Sequence, residues 1–359
     1  MFPFRSPTAF RDVISGRRGG WSAALLRGGL RLAEVPYTWA VEYRNRRYDR
    51  GRSPIVRVPV PVISVGNITA GGTGKTPLVA WLADSLQARG LKVVLISRGY
   101  KAQAQRPNDE ALELQQRLPD VPHLQDPDRV AAARAAVEVL GCDVVVLDDA
   151  FQHRRIYRDL DIVLIDALEP FGYRHVLPRG LLREPLARLA RADVIGLSRA
   201  DAVSAAERAA LREEISKLAP RAAWMELAHR PDTLVDAAGA TQSVAHLAGR
   251  CVVAFCGIGN PDAFRCSLEG LGYRIAAFHR FPDHHVFTRQ DIAALEQSLA
   301  RQPALRAVVC TCKDLVKLDI TQIGSLPLWA LAISIDVTAG LPALEAELNR
   351  VLATSAGGR

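Results

Sequence analysis

The chain has 359 residues, of which 49% are hydrophobic, 23% are charged and 6% are aromatic, and its formal net charge is +8. This composition excludes a disordered, fibrous or repeat protein, and the length favours two domains because domains usually span about 100 to 200 residues. No run of about 18 apolar residues suggests a membrane-spanning helix. Residues 1–20 lack the apolar core of a secretory signal, and the six cysteines form no Cys-x-x-Cys pair. We therefore expect a cytoplasmic chain with reduced thiols.

The positive charge is concentrated at the start of the chain. Residues 1–57 hold 12 arginines against four acidic residues, while basic and acidic residues balance in the remainder. Trp21, Leu25 and Leu32 recur near one face of a predicted helix, with arginines around them. Such a helix fits an anionic membrane surface, and the alternative is a helix that packs on its own domain. No nucleic-acid partner is expected, because basic and aromatic residues do not interleave downstream.

A glycine-rich segment lies between the first predicted strand, residues 62–65, and the first strongly patterned helix, residues 75–88. Its eight residues have the pattern of a P-loop that cradles the phosphates of a nucleoside triphosphate. They are Thr69, Ala70, Gly71, Gly72, Thr73, Gly74, Lys75 and Thr76. Lys75 is expected to reach the β- and γ-phosphates, and the Thr76 hydroxyl is expected to bind Mg²⁺. The usual pattern starts with glycine where Thr69 stands, so a chance glycine-rich turn is the alternative.

Further buried strands are predicted after this helix, with helical patterns between several of them. They cover residues 93–96, 143–147, 162–165 and 194–197. This alternation predicts a P-loop NTPase-type α/β fold, with a mostly parallel sheet and helices on both faces. The pattern loosens near residues 220–236, and a second set of strands is predicted at 252–255, 307–310 and 329–333. We therefore predict an N-terminal membrane-surface segment at 1–57, a P-loop domain at 58–225 and a smaller α/β domain at 226–359.

Two acids end the predicted strand at residues 143–147. Asp148 and Asp149 follow an apolar run, as in a Walker B strand, and ligands bind at the carboxyl edge of a parallel sheet. Asp148 is the first choice for binding Mg²⁺, and Asp149 is close enough to share that role. The alternative is a turn in which both acids cap the next segment.

Seven motifs in chain order resemble the tetraacyldisaccharide 4′-kinase family. They are Val65-Gly-Asn-Ile-Thr-Ala-Gly-Gly-Thr-Gly-Lys-Thr-Pro77, Ser97-Arg-Gly-Tyr100, Asp128-Arg-Val130, Leu147-Asp-Asp-Ala-Phe-Gln-His153, Leu182-Arg-Glu-Pro185, Gly257-Ile-Gly-Asn-Pro261 and Phe281-Pro-Asp-His-His285. The resemblance implies a kinase that uses ATP and Mg²⁺ to phosphorylate the 4′-hydroxyl of a lipid disaccharide 1-phosphate, forming lipid IVA in lipid A biosynthesis. It also implies a peripheral protein at the cytoplasmic face of the inner membrane. The P-loop that starts with Thr69 instead of glycine also resembles the P-loop of this family.

The resemblance also implies site residues. Asp109 corresponds to the catalytic base and His284 to the histidine that partners it. From the residues alone, a solvated loop acid is the favoured interpretation of Asp109, and Asp283-His284-His285 is a metal site or a buried turn. Weaker candidates for substrate or phosphate contacts are Arg98, Tyr100, Glu110, Gln152, His153, Arg183 and Glu184. An ordinary ion pair is the alternative for Arg183 and Glu184, and Ala150, where the family commonly has glycine, puts the loop geometry after the acids in question.

A P-loop GTPase or ATPase that switches partners, such as a metallochaperone, is the competing function. Its main support is Ser198-Arg-Ala-Asp201, which partly matches the guanine-reading Asn-Lys-x-Asp motif. Two of the four positions differ, so the kinase is the leading hypothesis.

Overall fold

The computed structural model describes residues 7–99, 109–283, 285–302, 304–318 and 320–356. Its helices are α1 (Pro7–Ile14), α2 (Trp21–Asp49), α3 (Lys75–Ala88), α4 (Asp109–Arg117), α5 (Arg129–Glu138), α6 (Ala205–Leu218), α7 (Pro261–Gly270), α8 (Arg289–Ala300), α9 (Cys312–Leu318) and α10 (Leu341–Ala356). Its strands are β1 (Val62–Asn67), β2 (Val93–Ser97), β3 (His123–Gln125), β4 (Val144–Asp148), β5 (Leu160–Asp166), β6 (Val194–Ser198), β7 (Ala223–Val235), β8 (Thr241–Ser243), β9 (Cys251–Cys256), β10 (Arg274–Arg280), β11 (Leu305–Thr311), β12 (Gln322–Ile323) and β13 (Leu326–Ala339).

The strands of the described residues form one sheet in the order β10-β9-β11-β13-β7-β6-β5-β1-β4-β2-β3, with β12 beside β13 and β8 beside β7. From β3 to β7 along this order, all neighbouring strands are parallel. Strands β1, β2, β4 and β6 are buried at every position. Alternate residues of β5 pack on opposite faces, with Ile162 against α3 and α10 and Val163 in the cluster that includes Ile215 of α6. The predicted α/β fold with a mostly parallel sheet and helices on both faces is confirmed.

The other strands run in the opposite direction. Strand β13 is antiparallel to β7, and β9, β10 and β11 are parallel to β13 or to each other in the same direction. We call β1–β6 with their helices the P-loop half, β9–β11 with their helices the distal half, and the β7–β13 pair the ribbon. The two sets of strands run in opposite directions and pair with different ends of the ribbon, so their carboxyl edges face each other.

Strand β7 sets the distance between these edges. Leu227 of β7 pairs with Ser198, the last residue of β6. Leu234 pairs with Leu331, which in turn pairs with Thr311, the last residue of β11. The seven residue steps from Leu227 to Leu234 correspond to about 23 Å of extended strand. We call the space between the two carboxyl edges the cleft. Parallel sheets usually bind ligands at their carboxyl edge.

The chain returns to the P-loop half after the ribbon. Leu344 and Leu348 of α10 pack in the same core as Leu78 and Leu82 of α3, and α3 spans the residues predicted for it. The boundary predicted at residue 225 falls within β7, and the division at 57 and 225 stays a prediction.

Helix α2 turns charged residues toward the P-loop half. Glu34 accepts hydrogen bonds from the His175 ring (Nδ1, 3.0 Å) and from the Val176 amide (2.7 Å). Further along the helix, Arg44 pairs with Glu184 at 3.0 Å. The face that touches the protein therefore makes ion pairs and hydrogen bonds in addition to burying Ala23.

The outer face of α2 is apolar instead. Its exposed side chains include Trp21, Leu25, Leu32, Val35 and Trp39, with exposed fractions between 65% and 79%. The surface of a soluble protein rarely groups so many exposed apolar side chains unless they bind a partner or a membrane. In the parts of the chain that the structure describes, no helix combines the length and apolar character needed to cross a bilayer.

Candidate active site

The P-loop connects the end of β1 to the start of α3. Thr73, Lys75 and Thr76 are buried, and the Asn67 side chain donates a hydrogen bond to the carbonyl of Thr69 at 2.8 Å. Gly74 caps the N-terminus of α3 with φ +83°, a conformation that favours glycine. The first amides of α3 lack partners within the helix and can bind an anion. This local geometry suits a phosphate-binding loop, and the assignment of Thr69 to Thr76 to the nucleotide stays a prediction.

A segment that ends at Arg183 braces the P-loop. The Ala70 amide donates to the carbonyl of Leu181 at 2.7 Å, and the Arg183 amide donates to the carbonyl of Ile68 at 2.8 Å. These backbone bonds fix Arg183 beside the first P-loop residues. Its side chain is therefore positioned by the same contacts that position the loop.

Two cations converge on Asp149. Its carboxylate accepts hydrogen bonds from Arg183 Nη1 at 2.8 and 2.9 Å, and Lys75 Nζ lies 3.6 Å from its Oδ1. Burial alone raises the pKa of Asp149, but Lys75 and Arg183 outweigh burial and the pKa is lowered. The sequence left an ion pair as the alternative for Arg183, and the structure shows this pair at the P-loop itself.

The backbone after β4 also differs from expectation. Asp149, the second acid of the pair, has a positive φ of +52°, whereas the φ of the buried Ala150 is not positive. Glycine is therefore not needed at position 150 for a left-handed backbone conformation, and Ala150 fits the loop in this respect. Aspartate adopts this region more readily than most residues, since its short polar side chain can bond locally.

Asp148 and Thr76 offer oxygen atoms suited to Mg²⁺. Both residues are buried, at 3% and 7% exposure; Asp148 is the last residue of β4, and Thr76 is the second residue of α3. A carboxylate and a hydroxyl, completed by phosphate oxygens and water, form a typical Mg²⁺ site for a bound nucleotide. The donor set therefore fits this ion.

The sequence reasoning missed a buried arginine beside these acids. Arg129 begins α5 and is 4% exposed. Burial and then the charge of Arg98 lower its pKa, while Asp149 and Asp148 act in the opposite direction. The Asp128-Arg-Val130 motif contained this residue, but nothing in its spacing indicated that α5 would bring it to the acid pair.

Gln152 and His153 follow the acid pair in the loop after β4. Gln152 Nε2 donates to the carbonyl of Asn67 at 2.9 Å, and its Oε1 accepts from Arg183 at 3.4 Å. Burial and then Arg129 lower the pKa of His153 to about 4, so its ring is neutral at neutral pH. Their predicted contacts with substrate or phosphate stay a prediction.

Glu184 and Arg98 have different surroundings. Glu184 is fully buried and accepts hydrogen bonds from Arg44 of α2 at 3.0 Å and from Arg191 at 2.8 Å. Glu184 therefore forms the ion pair that the sequence left as its alternative role, and this pair joins α2 to the P-loop half. Arg98 follows β2 and is exposed. A substrate contact for either residue stays a prediction.

The candidate base begins a helix that spans the cleft. Asp109 and Glu110 are the first two residues of α4, and their side chains lie outside the described part. Helix α4 packs against α9 of the distal half, and Arg117 Nη1 donates to the Ile333 carbonyl of the ribbon at 2.6 Å. The helix that begins with Asp109 thus packs between α3 of the P-loop half and α9 of the distal half, and its last residue is tied to the ribbon.

Tyr100 and His284 lie outside the described residues. The neighbouring His285 is described, and its ring stacks on Phe281 with 4.9 Å between ring centroids. Its Nε2 lies 3.0 Å from Asp291 Oδ2. Because this loop follows β10, it lies at the carboxyl edge of the distal half, which faces the P-loop half.

Comparisons with known proteins agree over nearly the whole chain. A family model described as tetraacyldisaccharide-1-P 4′-kinase matches residues 26–353. The tetraacyldisaccharide 4′-kinase of Anaeromyxobacter sp. (strain K) is 40% identical in an alignment that covers 94% of each chain. The enzyme of the same name from Geobacter sulfurreducens is 35% identical over 96% of this chain and 98% of its own. A crystal structure of LpxK from Aquifex aeolicus in complex with ATP is 28% identical, covers 91% of this chain and 99% of that one, and has a TM-score of 0.73.

Proposed function

This chain belongs to the tetraacyldisaccharide-1-P 4′-kinase family, and we propose that it transfers the γ-phosphate of ATP to the 4′-hydroxyl of a tetraacyldisaccharide 1-phosphate in lipid A biosynthesis. The observation that carries the proposal is the convergence of Lys75 and Arg183 on Asp149 at the P-loop. Phosphoryl transfer needs fixed positive charge around the transferred group more than it needs covalent chemistry. These two side chains supply that charge where the γ-phosphate of a bound nucleotide would lie.

Thr69 to Thr76 would bind the triphosphate through backbone amides, and Lys75 would contact the β- and γ-phosphates. Thr76 and Asp148 would hold Mg²⁺, with Asp149 able to share that role. The ion supplies charge neutralisation between the phosphates when it is bound. Gln152, which contacts both Asn67 and Arg183, would keep the arginine oriented toward the nucleotide.

Asp109 would accept the proton of the 4′-hydroxyl, and His284 would orient or stabilise that aspartate. Support comes from two placements: α4 begins at Asp109 and packs on the distal half, and the loop containing His284 follows β10 at the opposing edge. A base of this kind contributes about 10² to 10⁴ in rate. The arrangement would make catalysis depend on how closely the two halves approach.

The substrate carries four acyl chains, and α2 provides a surface suited to a membrane. Its outward side chains are apolar, and arginines such as Arg31 and Arg46 lie beside them. Each arginine near an anionic leaflet can add about 1 kcal/mol to binding. We infer peripheral binding to an anionic membrane surface, at the cytoplasmic face of the inner membrane, through residues 1–57.

The GTPase or metallochaperone alternative is not favoured. The side chains that would read guanine have other partners, because Ser198 Oγ lies 2.9 Å from His229 Nε2 and Asp201 pairs with Arg230 at 3.2 Å. The relatives that match most of the chain are kinases by name.

The test is a single-product assay. The pure protein is incubated with ATP, Mg²⁺ and detergent-dispersed tetraacyldisaccharide 1-phosphate, and the lipid is examined by mass spectrometry for the gain of one phosphoryl group. Lys75→Ala is the matched inactive control. Absence of product with the parent protein, together with hydrolysis specific for GTP, would overturn the proposed function.

A further inference from the structure

His229 lies where the ribbon leaves the P-loop half. Leu227 is the last residue of β7 that pairs with β6, and the next two residues pair only with β13. The His229 ring nevertheless turns back toward the P-loop half. Its Nε2 lies 2.9 Å from the hydroxyl of Ser198, the buried last residue of β6. The side chain thus connects the base of the ribbon to the edge of the sheet that carries the P-loop.

The ring also fills the space beside Gly74. A Cβ atom placed on Gly74 would lie 2.5 Å from both Cε1 and Nε2 of His229, closer than real contacts allow. Gly74 directly precedes Lys75 and caps α3. The imidazole therefore packs against the backbone whose amides would face the phosphates.

A second contact braces the loop from the same edge. Arg199, the residue after β6, donates from Nη2 to the carbonyl of Gly72 at 3.2 Å, and its side chain pairs with Asp166. Burial and then the charge of Arg199 lower the pKa of His229 to about 4, so the ring is neutral at neutral pH. It adds no charge that would compete with Lys75 or Arg183, and its contribution is shape and one hydrogen bond.

We propose that His229 is a positioning residue that holds the P-loop in its phosphate-binding conformation by packing against Gly74. The proposal rests on the proposed use of this loop for ATP. Glycine-rich segments have many accessible conformations, and apparent affinity falls with the fraction of molecules in the competent one. Without the ring that fraction decreases, so ATP binding weakens. The phosphoryl-transfer step changes little, because the ring does not contact Asp149 or Arg183.

The experiment measures ATP·Mg²⁺ binding by isothermal titration calorimetry and steady-state turnover on the full chain. His229→Ala should raise Kd and KM for ATP about tenfold and change kcat less than threefold. His229→Gln, whose amide can still bond Ser198, should recover most of the affinity. His246→Ala is the matched control, because His246 is an exposed histidine of the distal half. A purely structural role predicts a lower melting temperature and fewer active molecules with an unchanged KM for ATP, and that result would overturn the proposal.

A double-mutant cycle tests the contact itself. Gly74→Ala in the parent meets the His229 ring, the positive φ and the Ser198 hydroxyl, which lies 3.1 Å from the added Cβ, whereas in the His229→Ala background the contact with the ring is removed and the other two remain. The factor by which Gly74→Ala raises the Kd for ATP should therefore be at least threefold smaller in the His229→Ala background than in the parent, since substitutions of contacting residues are not additive. Additive effects on Kd would contradict the contact. A parent chain that does not bind ATP would overturn the proposed function as well, whereas a binding parent and a His229→Ala variant of equal affinity would overturn this inference alone.

Discussion

Replacing Glu184 by glutamine should destabilise the protein strongly, although the change conserves shape. The Glu184 side chain is fully buried and pairs with Arg44 at 3.0 Å and with Arg191 at 2.8 Å. The Arg191 side chain is 15% exposed, and its guanidinium lies 4.4 Å from the centroid of the Phe151 ring. Removal of the carboxylate charge leaves Arg191 buried without its counter-ion, which typically costs about 3 to 5 kcal/mol. We expect a loss of about 3 kcal/mol, because the glutamine oxygen can still accept one hydrogen bond.

Arg44→Ala is the matched variant for the same pair. Its side chain is 47% exposed, so the lost pair should cost only about 0 to 1 kcal/mol while Glu184 keeps Arg191. Both values are measured by urea denaturation followed by far-ultraviolet circular dichroism, whose midpoint and slope give the free energy of unfolding. Equal losses for the two variants, or a loss below about 1 kcal/mol for Glu184→Gln, would refute the reasoning. An unchanged stability with a raised KM for the lipid would instead favour the predicted substrate contact.

Three further outcomes are expected. Asp109→Ala should slow turnover by about 10² to 10⁴ with nearly unchanged ATP affinity in calorimetry, and near-normal turnover would assign the base to another residue. Leu25→Ser combined with Leu32→Ser should reduce flotation with phosphatidylglycerol vesicles while the free energy of unfolding changes by less than about 1 kcal/mol, and unchanged flotation would argue against the membrane role of α2. Hydrogen bonds from Thr288, and then from His285, lower the pKa of Asp291 to about 2, so its stabilisation is complete above the ordinary value of 3.8 and is lost as pH falls through about 2. Asp291→Asn should therefore be less stable than the parent in urea denaturation at neutral pH, with a difference that disappears in strong acid, and a difference independent of pH would contradict this assignment.

The sequence predicted the P-loop half well because its signals are local. Each buried parallel strand is a continuous apolar run, and α3 is bounded by Pro77 in its first turn and Gly90 just beyond its end. Strand β7 was not predicted, since His-Arg-Pro-Asp at residues 229–232 disfavours a strand. Pro231 is accommodated beside a register shift between β7 and β13, where a missing amide is tolerated.

The candidate site was predictable only in part. The P-loop and the acid pair are contiguous in sequence, so their chemistry could be read from spacing. The contacts of Arg129, His229 and Glu184 join residues far apart in the chain, and their partners are set by how β4, β6 and α2 pack. The residue sequence of a single motif does not specify such long-range partners.

The ribbon is expected to bend more easily in one direction than in another. The distal half is inserted between β7 and β13, and α10 returns to the core of the P-loop half, so both strands are anchored at the base. A pair of hydrogen-bonded strands flexes across its flat face more easily than within its plane, where bending would stretch one strand against the other. The opposing edges should thus approach by rocking about an axis that lies in the sheet. A sideways movement within the plane of the sheet would strain the register from Ala330 with Val235 to Ala339 with Glu226, so the rocking motion keeps the two carboxyl edges opposite each other as the cleft narrows.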